Sequence, residues 1–261
     1  MNLDLTGKTA LVSGSTAGIG YGTALGLARQ GAHVWINGRT EERVAQAMAA
    51  IRKVHPSARL EAAPADVTTA AGAAQLFARV ASVDILVNNV GGINVIKPFE
   101  ELTDADWQRV FEMNVLSGVR LTRRYLPPMR TRNWGRIVFI ASESAVHIPP
   151  EFLHYGAMKS AVVGMARGIA ETLVGTGVTV NSVLAGPTQT EALEKAAGAS
   201  GMSLEQFERE LMEKRRPTSL IKRFATVDEV ANLVVYLCSE AASGTHGAPL
   251  RADGGVIKSA F

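Results

Sequence analysis

The chain has 261 residues, of which 47% are hydrophobic and 20% charged, and this suits one large α/β domain with a sizeable core. The formal net charge of +3 gives no reason to expect a nucleic-acid partner. The single cysteine, Cys238, excludes an intrachain disulfide, and the sequence shows no metal-binding cluster, signal core or membrane span. We therefore expect a cytoplasmic protein that binds no metal, nucleic acid or membrane.

A glycine-rich segment near the N-terminus indicates a dinucleotide site. Gly14–Gly20 reads G-S-T-A-G-I-G and lies between a strand pattern and a helix pattern. Gly14 permits a tight turn, Gly18 lets a pyrophosphate approach the backbone, and Gly20 lets strand and helix pack closely. The N–H groups at the helix start would hold the phosphates. The spacing differs from the common G-x-G-x-x-G, and a plain glycine-rich turn is the alternative.

The second strand pattern, Ala32–Asn37, bears on the choice of coenzyme. It ends where an NAD site would carry an acidic residue for the ribose 2′-hydroxyl, but Gly38 and Arg39 stand there. A guanidinium can clamp a 2′-phosphate through two hydrogen bonds. The pattern favours NADP over NAD, and the alternative is that Arg39 is a solvated residue beside a helix capped by Thr40.

Polar residues follow the next two strand patterns, Arg59–Ala63 and Val83–Val87. Asp66 would receive an adenine amine or cap the following helix. A long helix is predicted over Asp104–Tyr125, and its Asn114 lies on an apolar face, where a buried amide needs a partner.

A possible acid–base unit follows the strand pattern Arg136–Ile140. A helix predicted over Phe152–Val174 carries Tyr155 and Lys159, which are four apart and share one face. A nearby ammonium favours the phenolate and lowers the phenol pKa, and Ser142 could hold a substrate oxygen. Alone, the motif is weak, because most such pairs are ordinary surface residues.

The C-terminal part contains a sixth strand pattern, Val178–Leu184, and a long excursion, Gln189–Arg223, at the carboxyl edge of the sheet, where ligands of such sheets bind. A capping box at Ser203 and Gln206 begins a helix there. The apolar face of that helix consists of Leu204, Phe207, Leu211 and Met212. We expect a substrate lid, and the alternative is a helix packed on the body or on another subunit.

The run Lys214–Arg216 is interpreted as charge at a helix end rather than as an acidic docking site. A helix over Val227–Ser239 and a strand near Ala248–Arg251 complete the chain. Strands that alternate with helices predict a parallel, doubly wound sheet buried on both faces.

Together these motifs resemble the classical short-chain dehydrogenase/reductase family over nearly the whole chain. The family's glycine motif corresponds to Ser13–Gly20, its N-N-A-G to Asn88–Gly91, its helix asparagine to Asn114, its serine to Ser142, its Y-x-x-x-K to Tyr155 and Lys159, its P-G-x-x-x-T to Ala185–Thr190, and its D-G-G to Asp253–Gly255. The departures, such as Val90 for alanine and Ala185 for proline, remove no group that the chemistry needs.

The resemblance implies one Rossmann-type domain over residues 1–261, with a seven-stranded parallel sheet, helices on both faces and a lid at about 189–223. It implies an NADP(H)-dependent oxidoreductase that interconverts a ketone and a secondary alcohol. Tyr155 would be the general acid and base, and Lys159 would lower its pKa and hold the nicotinamide ribose. Ser142 would position the carbonyl oxygen, and Asn114 would hold a relay water.

The resemblance also implies which residues bind the coenzyme. These are Gly14, Ser15, Thr16, Gly18, Ile19, Gly20, Arg39, Asp66, Val67, Asn89, Tyr155, Lys159, Gly186, Thr188 and Thr190. A homotetramer or homodimer is expected, because the helix after Tyr155 is apolar on both sides.

The substrate expected first is a β-ketoacyl thioester or another apolar ketone, as in 3-oxoacyl-[acyl-carrier-protein] reductases, because the predicted lid is apolar. A sugar, polyol or hydroxysteroid dehydrogenase is the alternative, and a non-enzymatic NADP-binding regulator is the alternative of another class.

Overall fold

Seven runs rich in valine, isoleucine, leucine and alanine form the strands of the computed structural model, which describes residues 2–260. Such runs suit strands that are buried on both faces of a sheet. The strands are β1 (Thr9–Val12), β2 (His33–Gly38), β3 (Arg59–Pro64), β4 (Ile85–Asn88), β5 (Gly135–Ser142), β6 (Val178–Ala185) and β7 (Pro249–Ala252). They pair in the order β3-β2-β1-β4-β5-β6-β7, and every pairing is parallel. The predicted seven-stranded parallel sheet is confirmed.

Helices cover both faces of this sheet. They are α1 (Gly18–Arg29), α2 (Glu41–Val54), α3 (Ala70–Arg79), α4 (Asp104–Phe111), α5 (Ser117–Thr131), α6 (Leu153–Glu171), α7 (Glu191–Ala199), α8 (Leu204–Glu210) and α9 (Val227–Cys238). Successive side chains of a strand point to opposite faces, and β1 shows this alternation. Its Ala10 and Val12 join the core beneath α1 and α9, whereas Leu11 joins the core beneath α5 and α6.

The strand order reverses beside β1, which pairs with β2 on one side and with β4 on the other. Ligands of doubly wound sheets bind in the crevice at the carboxyl ends of the strands where such a reversal occurs. The glycine segment after β1, the asparagines at the end of β4 and Ser142 at the end of β5 all meet at this edge. The topology therefore brings together motifs that are far apart in the sequence.

The long helix predicted over Asp104–Tyr125 differs from the structure in two ways. A π-helical turn, Glu112–Leu116, separates α4 from α5, and α5 continues to Thr131 although two prolines lie within it. Tyr125 donates its hydroxyl proton to Val80 O at the predicted end, and Met129, one turn beyond that end, is fully buried. Packing therefore decides where this helix ends.

The excursion after β6 leaves and rejoins the body at one point. Thr188 and Ala225 form an isolated parallel bridge, in which Gln189 N donates to Ala225 O and Ala225 N donates to Pro187 O. The segment between these residues, called the lid segment below, contains α7 and α8 and corresponds to the excursion predicted over Gln189–Arg223. Among residues 2–260, no helix is both long and apolar enough to cross a bilayer.

Candidate active site

The glycine turn between β1 and α1 requires glycine at three positions. Gly14 and Gly18 have positive φ angles of 64° and 55°, a conformation that favours glycine. A Cβ at Gly20 would lie 2.4 Å from both Asn89 Nδ2 and Gly14 O. Three glycines at this spacing are therefore required by the local geometry, as the sequence predicted.

Side chains from neighbouring strands hold the same turn in place. Asn89 Nδ2 donates to Ser13 O and Gly14 O, and Asn37 Oδ1 accepts from Gly14 N. The Ser15 hydroxyl is buried and accepts from Asn37 N. Ser15 is therefore a structural residue of the turn, and it is Thr16 and Ile19 that face the cleft.

The end of β2 has no space for the acidic side chain of an NAD site. A Cβ at Gly38 would lie 2.4 Å from Thr16 Cγ2, so the threonine occupies that volume. The exposed guanidinium groups of Arg39 and Arg43 border the cleft here. The predicted cap by Thr40 is present, since its hydroxyl accepts from Arg43 N. These neighbours give a bound phosphate two possible cationic partners.

Asp66 lies at the same end of the cleft and accepts hydrogen bonds from Thr68 N and Oγ1. The alternative that Asp66 caps the next helix is wrong, because the side chain of Thr69 caps α3 by accepting from Gly72 N. The interpretation that Asp66 receives an adenine amine stays a prediction.

Tyr155 and Lys159 project from α6 towards the end of β5, where Ser142 is the last strand residue. Lys159 is buried, and its Nζ donates to Ile140 O at 2.9 Å. The same Nζ lies 5.6 Å from the centre of the Tyr155 ring. The predicted helical pair and serine are thus brought together at the carboxyl edge of the sheet.

Burial dominates the ionisation of this pair. It raises the pKa of Tyr155 to about 12, an effect that the neighbouring Ser142 hydroxyl partly offsets. Burial also lowers the pKa of Lys159 to about 8. Burial is the largest influence on the tyrosine pKa here, and the expectation that Lys159 lowers that pKa stays a prediction. Tyr155 is therefore protonated at neutral pH and can donate a proton.

Asn114 lies in the π-helical turn, and its amide is fully used. Its Nδ2 donates to Val110 O and Gly92 O, and its Oδ1 accepts from Gly92 N. A Cβ at Gly91 would lie 2.7 Å from Asn114 Oδ1 and 2.8 Å from Lys159 Nζ, so these polar atoms flank the same glycine. Asn114 itself does not line the cleft, and its link to Lys159 runs past Gly91.

The sequence reasoning missed a buried ion pair beside Ser142. Glu143 Oε1 accepts from Arg216 Nε at 2.6 Å, and the two side chains are only 4% and 7% exposed. The interpretation of Lys214–Arg216 as charge at a helix end is wrong for Arg216, because its guanidinium enters the cleft wall. A signal was available in Ser-Glu-Ser, which places a carboxylate directly after a buried strand.

The lid segment presents an apolar surface to the cleft. Phe207 on α8 and Leu211 in the following π-helical turn line it, whereas Met212 is buried in the body. The capping box predicted at Ser203 and Gln206 is present in both directions. A lid role for this helix stays a prediction, and its contact with the cleft is observed.

One cleft of about 1230 Å³ connects all of these parts. Most of the predicted coenzyme residues line it, and Ser15 and Gly20 do not. Those that do are Gly14, Thr16, Gly18, Ile19, Arg39, Asp66, Val67, Asn89, Tyr155, Lys159, Gly186, Thr188 and Thr190. The volume and the glycine turn suit an extended nucleotide with a small substrate beside it.

Comparison with known proteins agrees with this arrangement. A family model described as enoyl-(acyl carrier protein) reductase matches residues 14–257. An uncharacterized oxidoreductase of Bacillus subtilis, YvaG, is 44% identical over 100% of both chains. D-beta-hydroxybutyrate dehydrogenase of Cupriavidus necator is 36% identical over 97% of this chain and 99% of its own. L-sorbose reductase of Gluconobacter frateurii, solved with NADPH and L-sorbose, is 29% identical with a TM-score of 0.90, over 99% of this chain and 100% of its own.

Proposed function

The chain belongs to the short-chain dehydrogenase/reductase family of oxidoreductases, which act on ketones and alcohols, and from this premise we propose that it is an NADP(H)-dependent enzyme that interconverts a ketone and a secondary alcohol. The observation that carries the proposal is the group formed by Ser142, Tyr155 and Lys159. It lies in the same cleft as a glycine turn suited to phosphates. A proton donor and a nucleotide site thus share one cavity.

The preference for NADP(H) rests on the end of β2. Thr16 fills the space that an acidic side chain at Gly38 would need, and Arg39 and Arg43 supply positive charge beside it. When bound, the coenzyme would supply or accept the hydride. The solved relative from Gluconobacter frateurii also carries NADPH.

In the proton-transfer step, Tyr155 would give its proton to the carbonyl oxygen during reduction and take it back during oxidation. Its raised pKa keeps the proton in place at neutral pH. Lys159 would hold the coenzyme ribose, and its charge would favour the phenolate once the proton leaves. Ser142 would orient the substrate oxygen, and Asn114 would keep the loop around Gly91 in position.

The substrate end favours a ketone with an apolar part, and a β-ketoacyl thioester is the first candidate. The Phe152 ring lies 6.1 Å from the Tyr155 ring between centroids, and Phe207 and Leu211 add apolar surface to the same cleft. A sugar or polyol is the second candidate, favoured by the polar Glu143–Arg216 pair in the same wall.

A homotetramer or homodimer is part of the proposal. One face of α6 packs on the sheet, while Ala161, Gly164 and Gly168 are exposed on the other. A Cβ at Gly164 or Gly168 would meet nothing within 4 Å, so this surface leaves room for close approach of another helix. Light scattering at micromolar concentration should give the mass of a dimer or tetramer, and a monomer mass would refute this part.

The test of the function is a screen of purified protein with NADPH and with NADH. The panel contains a β-ketoacyl thioester, a diketone, a cyclic ketone and a ketose. Consumption of NADPH with at least one ketone, at a higher kcat/KM than with NADH, supports the proposal. Binding of NADPH without consumption across the whole panel would identify a coenzyme-binding regulator instead.

A further inference from the structure

The buried ion pair between the lid segment and the end of β5 has one unsatisfied side. Glu143 is saturated: its Oε1 accepts from Arg216 Nε, and its Oε2 accepts from the Ser142 hydroxyl, the Ser144 hydroxyl and Ser144 N. A carboxylate with this many donors has no strong acceptor capacity left for a ligand. Glu143 therefore acts as a positioning residue, which fixes both Ser142 and Arg216.

Arg216, by contrast, has a guanidinium nitrogen that donates no hydrogen bond to any residue that the structure describes. Its Nε binds Glu143 and its Nη1 donates to Arg215 O, whereas Nη2 hydrogen-bonds to no residue within 2–260. Nη2 is not sealed from solvent, because Arg216 lines the cleft. A guanidinium held in a wall by two of its nitrogens presents the third to the cavity, where an acceptor would satisfy it.

Arg216 and Tyr155 line the same cleft, and Glu143 accepts hydrogen bonds from both Arg216 and Ser142. The charge of Arg216 lowers the pKa of Tyr155 and that of Glu143 raises it, so both act on the phenol. The Ser142 proton is engaged by Glu143 in this arrangement. Nη2 of Arg216 is thus an open donor in the same cleft as the proposed proton donor.

The chemistry of the pair limits what Arg216 can bind. Its charge is already balanced by Glu143 at 2.6 Å, so a second carboxylate at Nη2 would face repulsion from the first. A neutral oxygen acceptor would gain the hydrogen bond without that cost. A carbonyl, ester or hydroxyl oxygen fits this requirement best.

We propose that Arg216 is a specificity-determining residue that hydrogen-bonds a second, neutral oxygen of the substrate close to the reacting carbonyl. The substrate class is then an oxygenated ketone, such as a β-ketoester, a β-ketothioester or a hydroxyketone. The inference rests on the proposed ketone reduction and narrows it.

The test compares two neutral ketones of similar length, ethyl acetoacetate and an unsubstituted methyl ketone, by their ratio of kcat/KM with NADPH. Wild-type protein should favour the ketoester. In Arg216→Met the ratio should fall by about tenfold to a hundredfold, because a hydrogen bond from a charged donor is lost. Arg216→Lys should restore part of the preference. Lys214→Met is the matched control, since Lys214 pairs with Glu210 outside the cleft and its loss should leave the ratio unchanged.

Loss of Arg216 alone leaves a buried carboxylate without its partner, which can prevent folding. The double variant Glu143→Gln with Arg216→Met avoids this and should show the same fall in the ratio. An unchanged ratio in the folded Arg216 variants would overturn the inference, and so would a wild-type preference for the acetoacetate ion over its ethyl ester. Failure of the wild type to consume NADPH with any ketone would instead refute the proposed function.

Discussion

The two ends of the cleft are built in different ways. At the coenzyme end, the backbone turn after β1 is held by hydrogen bonds from the ends of adjacent strands. Asn37 and Asn89, for example, both bond to Gly14. At the substrate end, the wall consists of side chains from the lid segment, and its polar contact joins Arg216 to Glu143. The coenzyme end is therefore formed before any ligand binds, whereas the shape of the substrate end depends on the position of the lid segment. We expect changes to the two ends to separate coenzyme binding from substrate choice.

The largest effect is expected where the two ends meet. Tyr155→Phe removes the proton donor but keeps the ring, so turnover should fall by about a hundredfold to ten thousandfold while NADPH still binds. Steady-state rates and a fluorescence titration with NADPH measure the two properties. Tyr236→Phe is the matched control and should keep wild-type rates. A Tyr155→Phe rate near that of wild type would contradict the assignment.

The next largest effect concerns the coenzyme end alone. Arg39→Asp removes a cationic partner of the 2′-phosphate and adds an acceptor for a ribose hydroxyl. The ratio of kcat/KM for NADPH over NADH should fall by about tenfold to a hundredfold. Lys53→Asp makes the same change of charge on an exposed part of α2 and should not alter the ratio. Equal efficiency of the wild type with both coenzymes would show that the interpretation of Gly38 and Arg39 is wrong.

A third effect appears in stability rather than in turnover. Burial lowers the pKa of Lys159 to about 8, below the ordinary lysine value of 10.5. Between these values the unfolded chain binds more protons than the folded one, so the lysine makes stability rise with pH. From pH 8 to about pH 10, wild type should gain about 2 kcal/mol of unfolding free energy relative to Lys159→Met. Urea unfolding across this range measures the difference, and parallel curves would contradict a buried, depressed lysine.

The smallest effect belongs to the substrate end. Phe207→Ser removes an apolar group from the cleft, so KM for an apolar ketone should rise by about threefold to tenfold. NADPH affinity should stay nearly unchanged, because Phe207 belongs to α8 of the lid segment, where it contacts Phe224, and not to the glycine turn. Phe99→Ser, at an exposed phenylalanine outside the cleft, is the matched control. An unchanged KM in Phe207→Ser would show that α8 does not contribute to the substrate pocket.

The same contrast explains what could be predicted from the sequence. The alternation of strands with helices and the glycine turn follow from local patterns, since Gly14 and Gly18 need positive φ angles within one turn. The Glu143–Arg216 pair could not be predicted, because its members are 73 positions apart and the lid path decides their contact. The π-helical turn around Asn114 was not predicted for the same reason, because it is accompanied by hydrogen bonds between Asn114 and Gly92 on a separate loop.

The attachment of the lid segment has a consequence for its motion. Its C-terminal half is tied to the body by the Arg216–Glu143 pair and by Thr218, whose hydroxyl donates to Val256 O at 2.6 Å. No side chain of Glu191–Ala199 hydrogen-bonds to the body within the described residues 2–260. Any opening would therefore move α7 more readily than the second half of the lid segment. Amide hydrogens of α7 should accordingly exchange with solvent deuterium earlier than those of Leu211–Arg215.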